Sequence, residues 1–110
     1  MKSFKIQATA KPILCEEPET HLEKMRGLLG RAALSEGRVM LIKSCRLIHT
    51  IGMHFTLDVF FLDATGAIVK TVRGLRPGRF AFGGFRARHT IEASAGWLNN
   101  PPSFEPLFKQ

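Results

Sequence analysis

The chain has 110 residues, within the range of one domain, and a hydrophobic fraction of 45% that excludes intrinsic disorder. Sixteen Lys and Arg against nine Asp and Glu give a formal charge of +7, which favours anionic partners without choosing among them. No apolar run approaches the roughly 18 residues that span a bilayer, and the first residues lack the apolar core and cleavage site of an export signal, so a cytoplasmic location is expected.

Residues 4–10 alternate, with Phe4, Ile6 and Ala8 on one face and Lys5, Gln7 and Thr9 on the other, as a half-buried strand requires. Pro12 lacks a backbone donor and helps to end that strand. Thr20 followed by Glu23 fits a capping box, which predicts a short helix from there to Gly30. Leu22, Met25 and Leu29 form its apolar stripe, with Leu28 beside them, and Gly30 is placed to end it in a left-handed conformation. Gly27 lies inside the pattern, where close approach of another backbone would explain it.

Residues 39–42, 45–50 and 57–63 are short β-type runs, and the last is apolar on both faces, as a central strand would be. Asp63-Ala64-Thr65-Gly66 has the chemistry of a tight turn, with a returning strand over residues 67–72. Residues 88–94 alternate again, placing His89, Ile91 and Ala93 on one face and Arg88, Thr90 and Glu92 on the other. Beyond Gly96 the periodicity fails, and Phe104, Leu107 and Phe108 are apolar anchors expected to pack on the parent domain. The pattern implies a single domain over residues 1–110 that is mostly β (α+β). Its expected form is a compact barrel-like or sandwich-like sheet of short, largely antiparallel strands with one short helix near the N-terminus.

Several blocks together resemble a known family. Thr20 with Arg26-Gly27-Leu28-Leu29-Gly30-Arg31, then His49-Thr50-Ile51-Gly52-Met53 leading to Leu57-Asp58-Val59-Phe60-Phe61-Leu62-Asp63, look like the pattern of domain of unknown function 192. Gly66-Ala67-Ile68-Val69, Leu75-Arg76-Pro77 and Ile91-Glu92-Ala93-Ser94-Ala95-Gly96 continue it in order. The motif positions in this chain are Gly27, Leu28, His49, Met53, Asp58, Asp63, Gly66, Pro77, Glu92 and Gly96. The resemblance spans about residues 6–96, leaves a tail over residues 97–110, and implies a small, mostly β fold without implying a reaction. Members of the family often finish with a further strand carrying a Gly-Asp pair, from which residues 99–110 depart.

Three groups of residues bear on function. Cys45, His49, His54 and Asp58, with His89 further along, are of types that bind metals or move protons, but their spacing matches neither paired-cysteine zinc patterns nor HExxH. No metal and no cofactor is therefore expected. His49 reads as a partly buried ring bonded to backbone, and Asp58 as a turn or edge carboxylate bonded to amides. No serine lies in a nucleophile elbow, and no phosphate-cradling or dinucleotide fingerprint occurs. Cys15 and Cys45 are expected as reduced thiols. A small hydrolase or metal-dependent enzyme around residues 45–58 is the weakest alternative, and no catalytic residue is assigned.

The stretch 70–88 holds Lys70, Arg73, Arg76, Arg79, Arg86 and Arg88 with no acidic residue, interleaved with Phe80, Phe82 and Phe85. Cations among aromatics are what single-stranded nucleic acid sites use, phosphates on the cations and bases on the rings. Against this stands the reading that Phe80 and Phe82 fill the core from one strand face while the arginines are ordinary surface charges. The expected function is a non-enzymatic binding or assembly module contacting the acidic surface of a protein partner, with a nucleic-acid-binding domain using residues 70–88 as the alternative.

Overall fold

The computed structural model describes residues 2–6, 13–17, 34 and 36–109, with no statement made of the side chains of Lys2, Phe4 and Ile6. Among the described residues eight strands follow in order: β1 (Lys2–Ile6), β2 (Ile13–Glu17), β3 (Arg38–Ile42), β4 (Leu47–His49), β5 (Leu57–Leu62), β6 (Ile68–Leu75), β7 (Phe80–Phe82) and β8 (His89–Ser94). A 3-10 turn, Glu105–Phe108, lies near the C-terminus. The helix expected over residues 20–30, together with Gly27 and Leu28, lies outside the described residues. Among the described residues no helix is long and apolar enough to cross a membrane.

Six strands form one open sheet in the order β1-β2-β3-β8-β5-β6, and β4 pairs with β7 in a separate two-stranded ribbon. The pairings are antiparallel except for β2 with β3, so the mostly β, largely antiparallel expectation holds, in a layered form and not as a closed barrel. A parallel pair needs a crossover of a dozen or more residues, and the stretch with the helical pattern falls between β2 and β3. β5, predicted to be central, runs between β6 and β8 with all six residues buried.

The Asp63 turn has its expected chemistry. One Asp63 carboxylate oxygen accepts from Thr65 N (2.9 Å), Thr65 Oγ1 (2.7 Å) and Ala67 N (3.1 Å), and these bonds hold the carboxyl below its usual range. Gly66 takes φ +94°, and a side chain there would meet Glu105 Cα at 2.8 Å, because the C-terminal turn packs directly on this hairpin.

The large sheet is covered on both faces. On one, Val39 and Leu41 of β3, Phe60 and Leu62 of β5 and Ile91 and Ala93 of β8 pack with Leu98 and the fully buried Phe104. Trp97, Leu107 and Phe108 rest against this cluster, so the anchors of the tail do pack on the parent fold. No strand follows Ser94 among the described residues, in keeping with the departure at residues 99–110.

On the other face Met40, Ile42, Leu57, Val59, Phe61 and Leu75 pack with Ile48 of β4 and Ala81 of β7, which makes the ribbon a second layer. Thr90 and Glu92, on the face of β8 opposite Ile91 and Ala93, are buried too, since the ribbon side of the sheet is covered as well. Burial pushes the Glu92 carboxyl up to about 7, with Met40 and Val59 as its neighbours in register.

Candidate functional site

The ribbon places its residues by simple alternation. Leu47 pairs with Phe82, Ile48 with Ala81 and His49 with Phe80. Since successive side chains of a strand point to opposite faces, Ile48 and Ala81 turn inward to the core. Leu47, His49, Phe80 and Phe82 are left on the outer face.

Phe80 is 65% exposed, Phe82 41% and Leu47 57%. The core-filling reading of Phe80 and Phe82 is thereby overturned. Binary pattern misleads here because phenylalanine is the more apolar residue, yet the shallow space beneath β7 takes only the methyl of Ala81.

Phe85, 82% exposed, extends the patch by packing its ring edge-on to Phe82 at 5.5 Å between centroids. His49 is exposed and tilts against Phe80 at 6.2 Å. This differs from the partly buried, backbone-bonded ring that the sequence suggested.

Both ends of the ribbon are fastened to the rest of the fold. At one end Thr50, fully buried, holds the Arg76-Pro77-Gly78-Arg79 turn. Its hydroxyl donates to Arg76 O (2.6 Å) and accepts from Arg79 N (2.8 Å), its amide donates to Arg79 O (2.8 Å), and its carbonyl accepts from Gly78 N (2.9 Å). Gly78 sits at φ +81°, which the tight turn requires.

At the other end Gly83 N donates to Arg46 O (2.7 Å), Cys45 N donates to Arg88 O (2.9 Å), and Thr90 Oγ1 donates to Cys45 O (2.7 Å). A side chain at Gly83 would collide with the Phe61 ring in the core and come within 2.8 Å of Ala87 Cβ. This glycine lets the chain pass close over the sheet.

Cations gather around these rings. Lys70 Nζ donates to Phe82 O (2.7 Å), and the Arg46 and Arg88 guanidiniums each donate to Phe85 O (3.2 Å). Arg76 and Arg79 stand exposed at the Thr50 end, and Arg86 is exposed beside Phe85.

Among the described residues, Arg38, Lys43 and Arg73 form ion pairs with Glu16, Glu17 and Asp58, whereas Arg46, Lys70, Arg76, Arg79, Arg86 and Arg88 form none. No acidic residue occurs from position 64 to 91. Arg86 lies close enough to Asp63 to help lower its carboxyl.

Arg73 lies apart from the other candidates. Its guanidinium donates to Asp58 Oδ2 (3.2 Å), Leu98 O (2.7 Å) and Asn99 O (3.0 Å) and lies over the Phe60 ring at 5.1 Å, fixing the C-terminal segment. Asp58 also accepts from Gly74 N (2.9 Å) and Gly96 N (3.1 Å), so it is a buried carboxylate of the central strand, not a turn or edge group.

The other chemistry-bearing residues have separate partners. Cys45 Sγ donates to Leu47 O (3.3 Å), His54 is exposed, and His89 Nδ1 accepts from Ser44 N (3.0 Å) with its ring stacked on Phe108 at 4.5 Å. Among the described residues no three His, Cys, Asp or Glu side chains gather closely enough to hold a metal ion. Cys15 and Cys45 are not joined in a disulfide, and burial pushes the Cys15 thiol up to about 12, so it stays protonated and inert.

Reading the sequence alone omitted Arg46, Leu47, Thr50 and the exposed Ile51 from the candidate group, and did not place His49 there. The available signal was the alternation over residues 45–50, which puts Leu47 and His49 on one side. It becomes informative only once β7 is known to be the partner.

The family assignment rests on most of the chain. The profile of domain of unknown function 192 (DUF192, Uncharacterized ACR) matches residues 3–101. The chain belongs to this family. The DUF192 match runs past the motif blocks to include Trp97 and Leu98, and stops before Phe104.

No curated protein matches the chain. Two crystal structures are similar. One is a protein of unknown function from Novosphingobium aromaticivorans DSM 12444, with TM-score 0.69 and 15% identity over 86% of this chain and 73% of that one. The other is a candidate transcription regulator from Sinorhizobium meliloti 1021, with TM-score 0.71 and 17% identity over 86% and 79%. At such identities the likeness is one of fold. This DUF192 member therefore has to be read from its own surface.

Proposed function

We propose that this DUF192 protein is a non-enzymatic binding module and that the outer face of the β4–β7 ribbon is where it holds an anionic partner. One observation carries the reading: among the described residues Arg46, Lys70, Arg76, Arg79, Arg86 and Arg88 around the ribbon form no ion pair, while Arg38, Lys43 and Arg73 elsewhere each do. An uncompensated cluster of guanidiniums raises the local potential and draws polyanions toward it. Phe80, Phe82 and Phe85 add an apolar contact surface within that field. Exposed aromatics and arginine are also the residue types that dominate binding energy in interfaces.

The test compares two variants with equal loss of charge. R46Q/R79Q/R86Q removes cations from the ribbon, and K5Q/K43Q/K109Q removes the same number from exposed positions elsewhere. The ribbon variant is expected to elute from immobilised heparin at clearly lower salt than the control variant. Equal elution of the two would overturn the reading, because the ribbon would then be no more than a share of the total charge.

A further inference from the structure

We infer that the anionic partner is a single-stranded nucleic acid whose bases stack on Phe80, Phe82 and Phe85 while its phosphates lie against the arginines at the two ends of the ribbon. The inference rests on the binding reading given above and specifies its ligand.

Three features carry it. The first is what the rings touch. Phe80 and Phe82 occupy alternate positions of a strand and so stand about 7 Å apart along one sheet surface. Phe85 meets Phe82 edge-on, an arrangement that leaves part of each ring uncovered, as the exposures of 82% and 41% attest. Sheet-surface aromatics that stack two or three bases are a recurring way of holding unpaired strands, whose bases are free to splay onto a ring.

The second feature is the order of charge and ring. Along the ribbon Arg76 and Arg79 stand at the Thr50 end, and Arg46, Arg86 and Arg88 at the Gly83 end, with the rings between them. Lys70, bonded to Phe82 O, adds a cation beside the middle of the run. A phosphodiester chain repeats its charge at every nucleotide, so a strand laid along the ribbon meets cations before and after the stacked bases. A peptide of acidic residues would match the charge, but it has no flat π-surface for three exposed rings.

The third is selectivity against duplex. The rings project from a narrow two-stranded ribbon, and a base can stack on a phenylalanine only after leaving its own stack. Paired bases do not offer that face, so duplex DNA is left with phosphate contacts alone.

The experiment uses the full chain and an eight-nucleotide deoxythymidine oligomer, its abasic counterpart of the same length and charge, and poly-glutamate, followed by NMR titration and fluorescence anisotropy. The oligomer is expected to bind more tightly than the abasic strand, shifting amides of residues 46–50 and 79–88. Phe82→Ala should weaken it about fivefold or more, the effect of losing one stacked base. The R46Q/R79Q/R86Q variant should lower the salt slope by about two.

Equal binding of the oligomer and the abasic strand, with Phe82→Ala silent, would overturn the inference while leaving the anion-binding ribbon in place. Preference for poly-glutamate would do the same and turn the assignment to an acidic protein. If none of the three probes shifts residues 46–50 or 79–88, the inference and the binding reading fail together. Because Phe82 is exposed, its loss is not expected to disturb folding, and Phe80→Ala gives an independent second variant.

Discussion

The two layers that cover the large sheet seal it in different ways. The C-terminal segment spends its aromatic residues inward: Phe104 is fully buried, and Trp97 and Phe108 are partly buried on the same cluster. The ribbon contributes Ile48 and Ala81 to the cluster on the opposite face, and turns Leu47, Phe80 and Phe82 outward. The charges follow the same division. Arg73 on the C-terminal side is locked to Asp58 and two carbonyls, whereas Lys70, Arg46 and Arg88 beside the ribbon are bonded to the carbonyls of Phe82 and Phe85 and to no carboxylate among the described residues. Phenylalanine and arginine therefore stabilise one layer and are displayed by the other, and residue type alone does not separate the two uses.

The most direct way to break this contrast is to truncate the same side chain on each layer. Phe104→Ala removes a fully buried ring and is expected to cost about 3–5 kcal/mol of unfolding free energy. Phe82→Ala should change stability by less than about 0.5 kcal/mol, as is usual for exposed positions. Urea denaturation of the two variants beside the parent chain measures both. A comparable loss in each would mean that Phe82 supports the fold, and the display argument would fall.

A second prediction concerns what the ribbon side covers. Glu92 is buried there with its carboxyl raised from the usual 4.5 to about 7. In the interval between those values the folded chain keeps the proton and the unfolded chain has released it. Stability therefore falls as pH rises from about 4.5 through about 7, and levels off above. Glu92→Gln removes this dependence. Relative to the parent chain it should gain on the order of 3 kcal/mol more at about pH 8 than at about pH 4. Thermal melts of both proteins across that range decide it, and a parallel pH dependence in parent and variant would show that Glu92 stays hydrated in the fold.

The large sheet was largely legible in the sequence because its signals are local. The doubly apolar run of β5, the Asp63-to-Gly66 turn and the alternation of β8 each need only neighbouring residues to be read. β2 was missed since Cys15-Glu16-Glu17 looks polar, although Glu16 is buried and bonded to Arg38 (2.9 Å) across the parallel pair. The strand face of Phe80 and Phe82 was legible, but not that it turns outward, because β7 is only three residues long and its pairing with β4 is not local.

The candidate site was half legible for a related reason. Composition located the cations and rings of residues 70–88. Their orientation, and the contribution of Arg46, Leu47 and His49, depend on a pairing between segments more than 30 positions apart. The same distance hid the structural role of Arg73, whose partners Leu98 and Asn99 are 25 and 26 positions away.

The smallest expected effect is the most specific to the ribbon. Thr50→Val keeps the shape of the side chain but removes the hydroxyl that donates to Arg76 O and accepts from Arg79 N. Water can reach the exposed turn and replace part of what is lost, so the cost should be about 1 kcal/mol, the usual net value of a hydrogen bond. The effect should also be local. Amide hydrogen exchange at Gly78 and Arg79 should speed up, while amides of β5 and β8 keep their protection, because the large sheet does not depend on this turn. Affinity for a polyanion should fall a few-fold as the Arg76 and Arg79 side chains lose their fixed placement, and Thr50→Ser should restore it. If exchange instead rises evenly through β5 and β8, the ribbon and the sheet unfold as one unit. The ribbon could then not be a separately adjustable surface laid over a stable core.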